Sequence, residues 1–138
     1  MTEQTVAYTV LVYSDDPLVR EHMQTVIGPH PARDVQVRFL EGSTYAEVVE
    51  LVDNEDVDLV MLDGEAAPGG GIGIARQLKD EVDDCPPTCV VIARAADRWL
   101  ASYARVDATL IHPLDPVLTG RAIADLLRTA DQAVPAGQ

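Results

Sequence analysis

Five apolar runs of strand length punctuate the chain: Thr9 to Tyr13, Val35 to Leu40, Val57 to Leu62, Thr88 to Ala93 and Ala108 to Ile111. Between and after them the apolar residues recur at the three- and four-residue spacing of a helix face. Pro17 suits a first helical position, and Leu18, His22, Val26 and their neighbours form a stripe until Gly28 and Pro29 end the segment. A second helix over Thr44 to Asn54 carries Val48, Val49, Leu51 and Val52, with Ser43 or Thr44 as its cap and Glu47 as the returning carboxylate of a capping box. Ile72 to Val82 predicts a third helix and Asp97 to Ala104 a shorter fourth. Pro116 to Thr129 predicts a fifth, turning Leu118, Ile123, Leu126 and Leu127 to the core.

Strands that alternate with helices are joined by crossovers, so the pattern predicts an α/β fold with a parallel sheet covered on both faces. Val57 to Leu62 and Val90 to Ile92 are apolar on both sides, as central strands are. Ligand sites in such sheets lie beyond the carboxyl ends of the strands, near the point where strand order reverses. The residues at those ends are Ser14, Asp15 and Asp16; then Asp63; then Ala93 and Arg94; then His112 and Pro113. If the first and third strands are neighbours, Asp15 and Asp63 converge. Two carboxylates about 5 Å apart repel by roughly 3 kcal/mol at an effective dielectric near 20, so a cation must join them or one must hold a proton. Mg2+ suits that role, since one or two carboxylates plus waters form its usual protein site.

Composition narrows the classes. The 138 residues, 47% hydrophobic, fit a single domain over residues 1–132 with a frayed tail over 133–138. No run approaches the ~18 apolar residues of a membrane span, and MTEQTVAY lacks the basic flank of a secretory signal, so a cytoplasmic protein is expected. Ten basic against 23 acidic residues give a net charge of −13, which repels phosphate backbones and anionic lipid heads and excludes nucleic acid and membranes as expected partners. Cys85 and Cys89 have neither C-x-x-C spacing nor enough companions for a zinc site, and are expected to be inert thiols. Gly69, Gly70, Gly71 and Gly73 fit no phosphate-binding signature and read as a loop entering the third helix. The run Asp53, Glu55, Asp56 and Asp58 reads as a solvated turn.

Four pieces, in their order and spacing, carry a resemblance: VLVYSDDPLVR, DLVMLDG with Gly71 eight residues after Asp63, the VVIA strand, and LIHPLDP. From residue 8 to about 130 the chain resembles the receiver domain of bacterial response regulators. The resemblance implies a flavodoxin-like, doubly wound sheet of five parallel strands in the order 2-1-3-4-5. It places Asp63 at the phospho-accepting aspartate, Asp15 on the acid that binds Mg2+, and the backbone carbonyl of Glu65 on a third metal-ligand position. The metal would neutralise the acids, and the Asp63 carboxylate would act as nucleophile.

Against that pattern the chain departs in several places. Ser14 stands where receivers have the first of two acids. Ala93 stands where a threonine or serine reads the phosphoryl group, His112 where a lysine pairs with it, and Thr109 where a switch aromatic is expected. The loop GEAAPGGG shifts its proline by one residue. Driving a two-state switch from 1:99 to 99:1 takes about 5.5 kcal/mol, and a hydrogen bond to a charged group supplies roughly 1.5–3 kcal/mol. Loss of the hydroxyl at 93 and the permanent cation at 112 would thus remove most of the switching energy. A carboxylate facing His112 would make it a partial stand-in for lysine; otherwise it is a structural histidine. The His112–Pro113 bond is expected to be cis, as its counterpart usually is in receivers. Trp99 and Tyr103, four apart on the fourth helix, either anchor an interface or cap the edge of the core.

Two functions are compatible with these residues. One is a stand-alone pseudo-receiver, a protein-interaction module in bacterial signal transduction that binds a protein partner or itself without the usual phosphorylation switch. The other is a working single-domain receiver, phosphorylated on Asp63 with Mg2+ by a histidine kinase or a small phosphodonor. Neither is an enzyme. A flavin carrier would need hydroxyls and glycines where SDDPLVRE offers acids.

Overall fold

Side chains alternate in direction along a strand, and here both directions lead into a core. The computed structural model describes residues 5–65 and 70–133, without the side chains of 70, 71, 100, 102, 103 and 130–133. In chain order its elements are β1 (Val6–Tyr13), α1 (Pro17–Ile27), β2 (Val35–Gly42), α2 (Tyr45–Asn54), β3 (Leu59–Asp63), α3 (Gly70–Glu81), β4 (Thr88–Ile92), a 3-10 turn (Ala95–Asp97), α4 (Arg98–Tyr103), β5 (Ala108–Ile111) and α5 (Pro116–Ala133). The strands form one parallel sheet in the order β2-β1-β3-β4-β5. This is the predicted doubly wound α/β architecture, and strand order reverses between β1 and β3.

Val10, Val12, Leu59, Met61, Cys89 and Val91 point to the face covered by α1 and α5, where they meet Met23, Ile27, Ile123 and Leu127. Their neighbours Leu11, Tyr13, Val60, Leu62, Val90 and Ile92 point the other way, to Val48 of α2 and Ile74 and Leu78 of α3. Each large apolar side chain so buried contributes roughly 1.5–3 kcal/mol. A slip of one residue would exchange the two layers along a whole strand, so this double burial pins the register.

Capping residues fix where the helices begin. Asp16 is the cap of α1, its Oδ1 accepting from the Leu18 N–H at 2.9 Å, with Pro17 in the first turn where no N–H is needed. Thr44 caps α2: its Oγ1 accepts from the Glu47 N–H at 3.1 Å, while the Glu47 carboxylate accepts from the N–H and hydroxyl of Ser43 at 2.8 and 2.7 Å. Those bonds hold the Glu47 carboxyl below its ordinary range. Gly28 closes α1 at a φ of +72°, with its N–H on the Gln24 carbonyl.

Several bounds differ from the pattern's. β1 begins at Val6, ahead of Thr9, because Val6 to Tyr8 pair with Val35 to Val37 of β2. β3 starts at Leu59, not Val57, because Asp58 bonds Thr9 twice: its carboxylate accepts from the Thr9 N–H and its N–H donates to the Thr9 carbonyl, both at 2.8 Å. One member of the acidic run is therefore structural, while Asp53, Glu55 and Asp56 are exposed. The fourth helix divides into the 3-10 turn and α4, and α5 continues to Ala133. Residues 134–138 of the expected tail and Gly69 of the glycine cluster lie outside the described residues. Both cysteines are free; burial pushes the Cys85 thiol up and that of Cys89 up to about 12, which suits inert thiols.

Candidate functional site

Register decides which strand-end side chains meet. Tyr13 of β1 pairs with Leu62 of β3, so the next residues, Ser14 and Asp63, come side by side. Alternation sends both to the same face, since Ser14 continues the series Val10, Val12 and Asp63 the series Leu59, Met61. The Ser14 hydroxyl donates to Asp63 Oδ2 at 2.8 Å, and the two side chains are 0% and 5% exposed. Asp15 stands one residue further along, exposed at the rim. Asp15 and Asp63 lie at the same end of neighbouring strands, and both act on one phenol. Burial above all, then the charges of Asp15 and Asp63, push the Tyr13 hydroxyl up, so it stays protonated.

Ser14 is tied on every side. Its hydroxyl oxygen accepts from the Asp16 N–H at 3.1 Å, and its N–H donates to the Gly42 carbonyl at 3.3 Å. Its carbonyl accepts from Arg20 Nη1 at 2.7 Å. Arg20, on α1, reaches across to β2, where Nε donates to Glu41 Oε1 at 2.8 Å and holds the Glu41 carboxyl below the glutamate range. The adjacent acids of the motif thus divide their work: Asp16 caps a helix and Asp15 faces the rim.

The other oxygen of Asp63, Oδ1, accepts from the Glu65 N–H at 2.9 Å, the turn an aspartate makes with the backbone two residues on. Between them Gly64 donates to the Val91 carbonyl at 2.8 Å, continuing the β3–β4 ladder. A Cβ at Gly64 would lie 2.7 Å from that carbonyl oxygen, so the approach needs glycine. Residues 66–69 of the following loop lie outside those described.

On the β4/β5 side the site is sparse. Ala93 is exposed and has no polar atom in its side chain. His112 is half-buried; its N–H donates to the Ile92 carbonyl at 2.9 Å, and no ion pair to its ring occurs among the described residues. Thr109, half-buried, sits in β5 opposite Val90. The His112–Pro113 bond is cis, as expected. Trp99 is 66% exposed on α4, outside the core edge; the Tyr103 side chain is among those not described.

The site is therefore a buried carboxylate at the topological reversal, held by one hydroxyl and one amide, with a second carboxylate at its rim. Asp63, Asp15 and the strand-end residues were legible from the sequence. Arg20 and the bonding role of Ser14 were not singled out. The even spacing of Val10, Val12 and Ser14 was the available signal for Ser14's direction.

No family model matches the chain. An uncharacterized response regulatory protein of Mycobacterium tuberculosis, present in two strains, is 42% identical over 129 residues, covering 93% of this chain and 97% of that protein. A sensory transduction protein of Enterococcus faecalis, LytT, is 27% identical over 91% of this chain and half its own length. Among solved structures, the CheY-like response regulator receiver domain from Methanospirillum hungatei superposes with a TM-score of 0.70 at 16% identity, covering 92% of this chain and 98% of that one. The receiver domain of AraT, a response regulator from Geobacillus stearothermophilus, gives 0.71 at 20% identity, with the same coverage. The mycobacterial identity along nearly the whole of both chains, on the five-stranded fold just described, places this protein in the response regulator receiver family of two-component signalling.

Proposed function

We propose that the protein is a pseudo-receiver: an interaction module in signal transduction that works in a largely fixed conformation, without the usual phosphorylation switch. One observation carries the reading. Each oxygen of the Asp63 carboxylate has its donor from the β1 side or from its own turn, whereas the β4 position offers Ala93 and the β5 position a half-buried His112. A charge gained at Asp63 would find neither the hydroxyl nor the permanent cation needed to draw β4 and β5 towards it. The differential contacts that move a two-state equilibrium are missing there.

Receivers hold Mg2+ beside the phosphorylated aspartate, and this donor set fits such an ion poorly. Ser14 supplies a neutral hydroxyl whose proton is already given to Asp63. Among the described residues no group of three or more acid, histidine or cysteine side chains is placed to hold a metal. Asp15, Asp63 and the Glu65 carbonyl would bind the ion weakly at most. A protein partner, or a second copy, would dock on a surface that includes Trp99, since tryptophan is enriched among the residues that carry interface energy and this one is exposed. No helix among the described residues is long and apolar enough to cross a membrane.

Beryllofluoride with millimolar Mg2+ mimics the phosphoryl group, and Trp99, the only tryptophan, reports on α4. The expected result is no saturable change in its fluorescence. A saturable change that Asp63→Asn abolishes would overturn the reading in favour of a working receiver phosphorylated on Asp63 by a histidine kinase or a small phosphodonor.

A further inference from the structure

We infer that Ser14, held from behind by Arg20, is a positioning residue for the Asp63 carboxylate and couples the state of that carboxylate to the start of α1 and the end of β2. It goes beyond the pseudo-receiver reading by naming where a change in the hydrogen bonding of Asp63 Oδ2 would be felt, with no phosphoryl transfer assumed.

The geometry points one way. The Ser14 hydroxyl is fully buried and both its functions are engaged, donating to Asp63 and accepting from Asp16. Should Asp63 Oδ2 stop accepting, the hydroxyl cannot turn to water. It has to rotate within its pocket or shift with its backbone. That backbone is tied to Arg20 through its carbonyl and to Gly42 through its N–H, so a shift is delivered to α1 and β2. The Arg20 guanidinium, 16% exposed, is a rigid fork bonded at one side to the Ser14 carbonyl and at the other to Glu41, so it moves as a unit with both. Towards β4 and β5 the hydrogen-bonded link among the described residues is a backbone one, from Gly64 to Val91.

The test needs no phosphoryl analogue. Asp63→Asn keeps the shape of the side chain and replaces one acceptor oxygen with a donor, and nitrogen–proton spectra of the full chain show where it is felt. The Arg20 Nε–H signal and the amides of Asp16 and Glu41 are expected to move at least twice as far as those of Ala93, Arg94 and Thr109. Introduced into Ser14→Ala, the same substitution should leave the Arg20 Nε–H signal in place. In Glu41→Ala, which severs only the last link, the response at Arg20 should persist. A purely structural Ser14 would lower stability without making the Arg20 response depend on it. Larger movements at Ala93 and Thr109 than at Asp16 and Glu41 would overturn the inference, as would an Arg20 response that survives Ser14→Ala. If Ser14→Ala does not fold, the comparison within the Asp63→Asn spectrum still decides. The Trp99 response to beryllofluoride enters none of these outcomes, so failure here and failure of the pseudo-receiver reading are told apart.

Discussion

The two flanks of Asp63 are built from the same kind of element, the carboxyl end of a parallel strand, yet they differ in what they bring to it. On the β1 flank, Ser14 gives a buried hydroxyl, and Arg20 and Gly42 hold its backbone. On the β4 and β5 flank stand a methyl group, at Ala93, and a half-buried histidine, His112, and the hydrogen-bonded link among the described residues is that from Gly64 to Val91. A hydroxyl at position 14 also lowers the charge cost of the site. Two acids on β1 would face Asp63 with like charge, whereas serine meets it with a donor. The contrast teaches that a buried aspartate at this reversal can be held by an uncharged bond from one flank while the other flank gives it no side-chain hydrogen bond among the described residues.

The largest expected effect tests the close approach on the sparse side. Gly64→Ala would put a methyl group 2.7 Å from the Val91 carbonyl oxygen and 3.1 Å from an Ile92 side-chain carbon, and backbone has to move. A loss of about 3 kcal/mol, read from urea unfolding, is expected for overpacking of this kind. A loss below about 0.5 kcal/mol would mean that β3 and β4 are free to separate there, and that the flank is loose.

Next in size is a paired substitution across the two flanks. Ser14→Ala leaves Asp63 Oδ2 without its buried donor and should cost about 2 kcal/mol. Ala93→Ser, at an exposed position, should change stability by no more than about 0.5 kcal/mol. Equal costs at both positions would break the comparison.

The smallest effect belongs to Glu41 and depends on pH. Hydrogen bonding from Arg20 lowers this carboxyl below its ordinary value, so the unfolded chain binds its proton first as pH falls. The contact's contribution is therefore fully present above the unfolded value of about 4.3 and is lost as pH drops through the folded value beneath it. The stability gap between wild type and Glu41→Gln should be full at neutral pH and narrow as pH falls below that unfolded value. Glu41 is half exposed, so the gap is expected to be small and to shrink further in salt. A gap that stays constant down to pH 3 would show that Arg20 is not held by the ionised acid.

Much of this was legible in the residues themselves. Runs such as Leu59 to Leu62 and Cys89 to Ile92, apolar at every position, announce strands buried on both faces, and the helical stripes between them require crossovers. Short-range signals also read directly: Pro17 marks the first turn of α1, and Thr44 with Glu47 caps α2, because the groups involved lie within three residues of one another. The strand ends carrying Asp15, Asp63, Ala93 and His112 followed from the same pattern. Asp58 did not, because its partner Thr9 is 49 residues away.

What the sequence by itself determined is the alternation within each strand: which residues share a face, and which stand at the carboxyl ends. Tertiary structure alone decided that Ser14 lies against the Asp63 carboxylate, that Arg20 joins α1 to β2 behind it, and that Gly64 approaches β4 too closely for any side chain. The reason is register. Alternation is a property of one strand and is written locally, whereas the pairing of Tyr13 with Leu62 depends on how two apolar layers fill at once, which no single segment encodes.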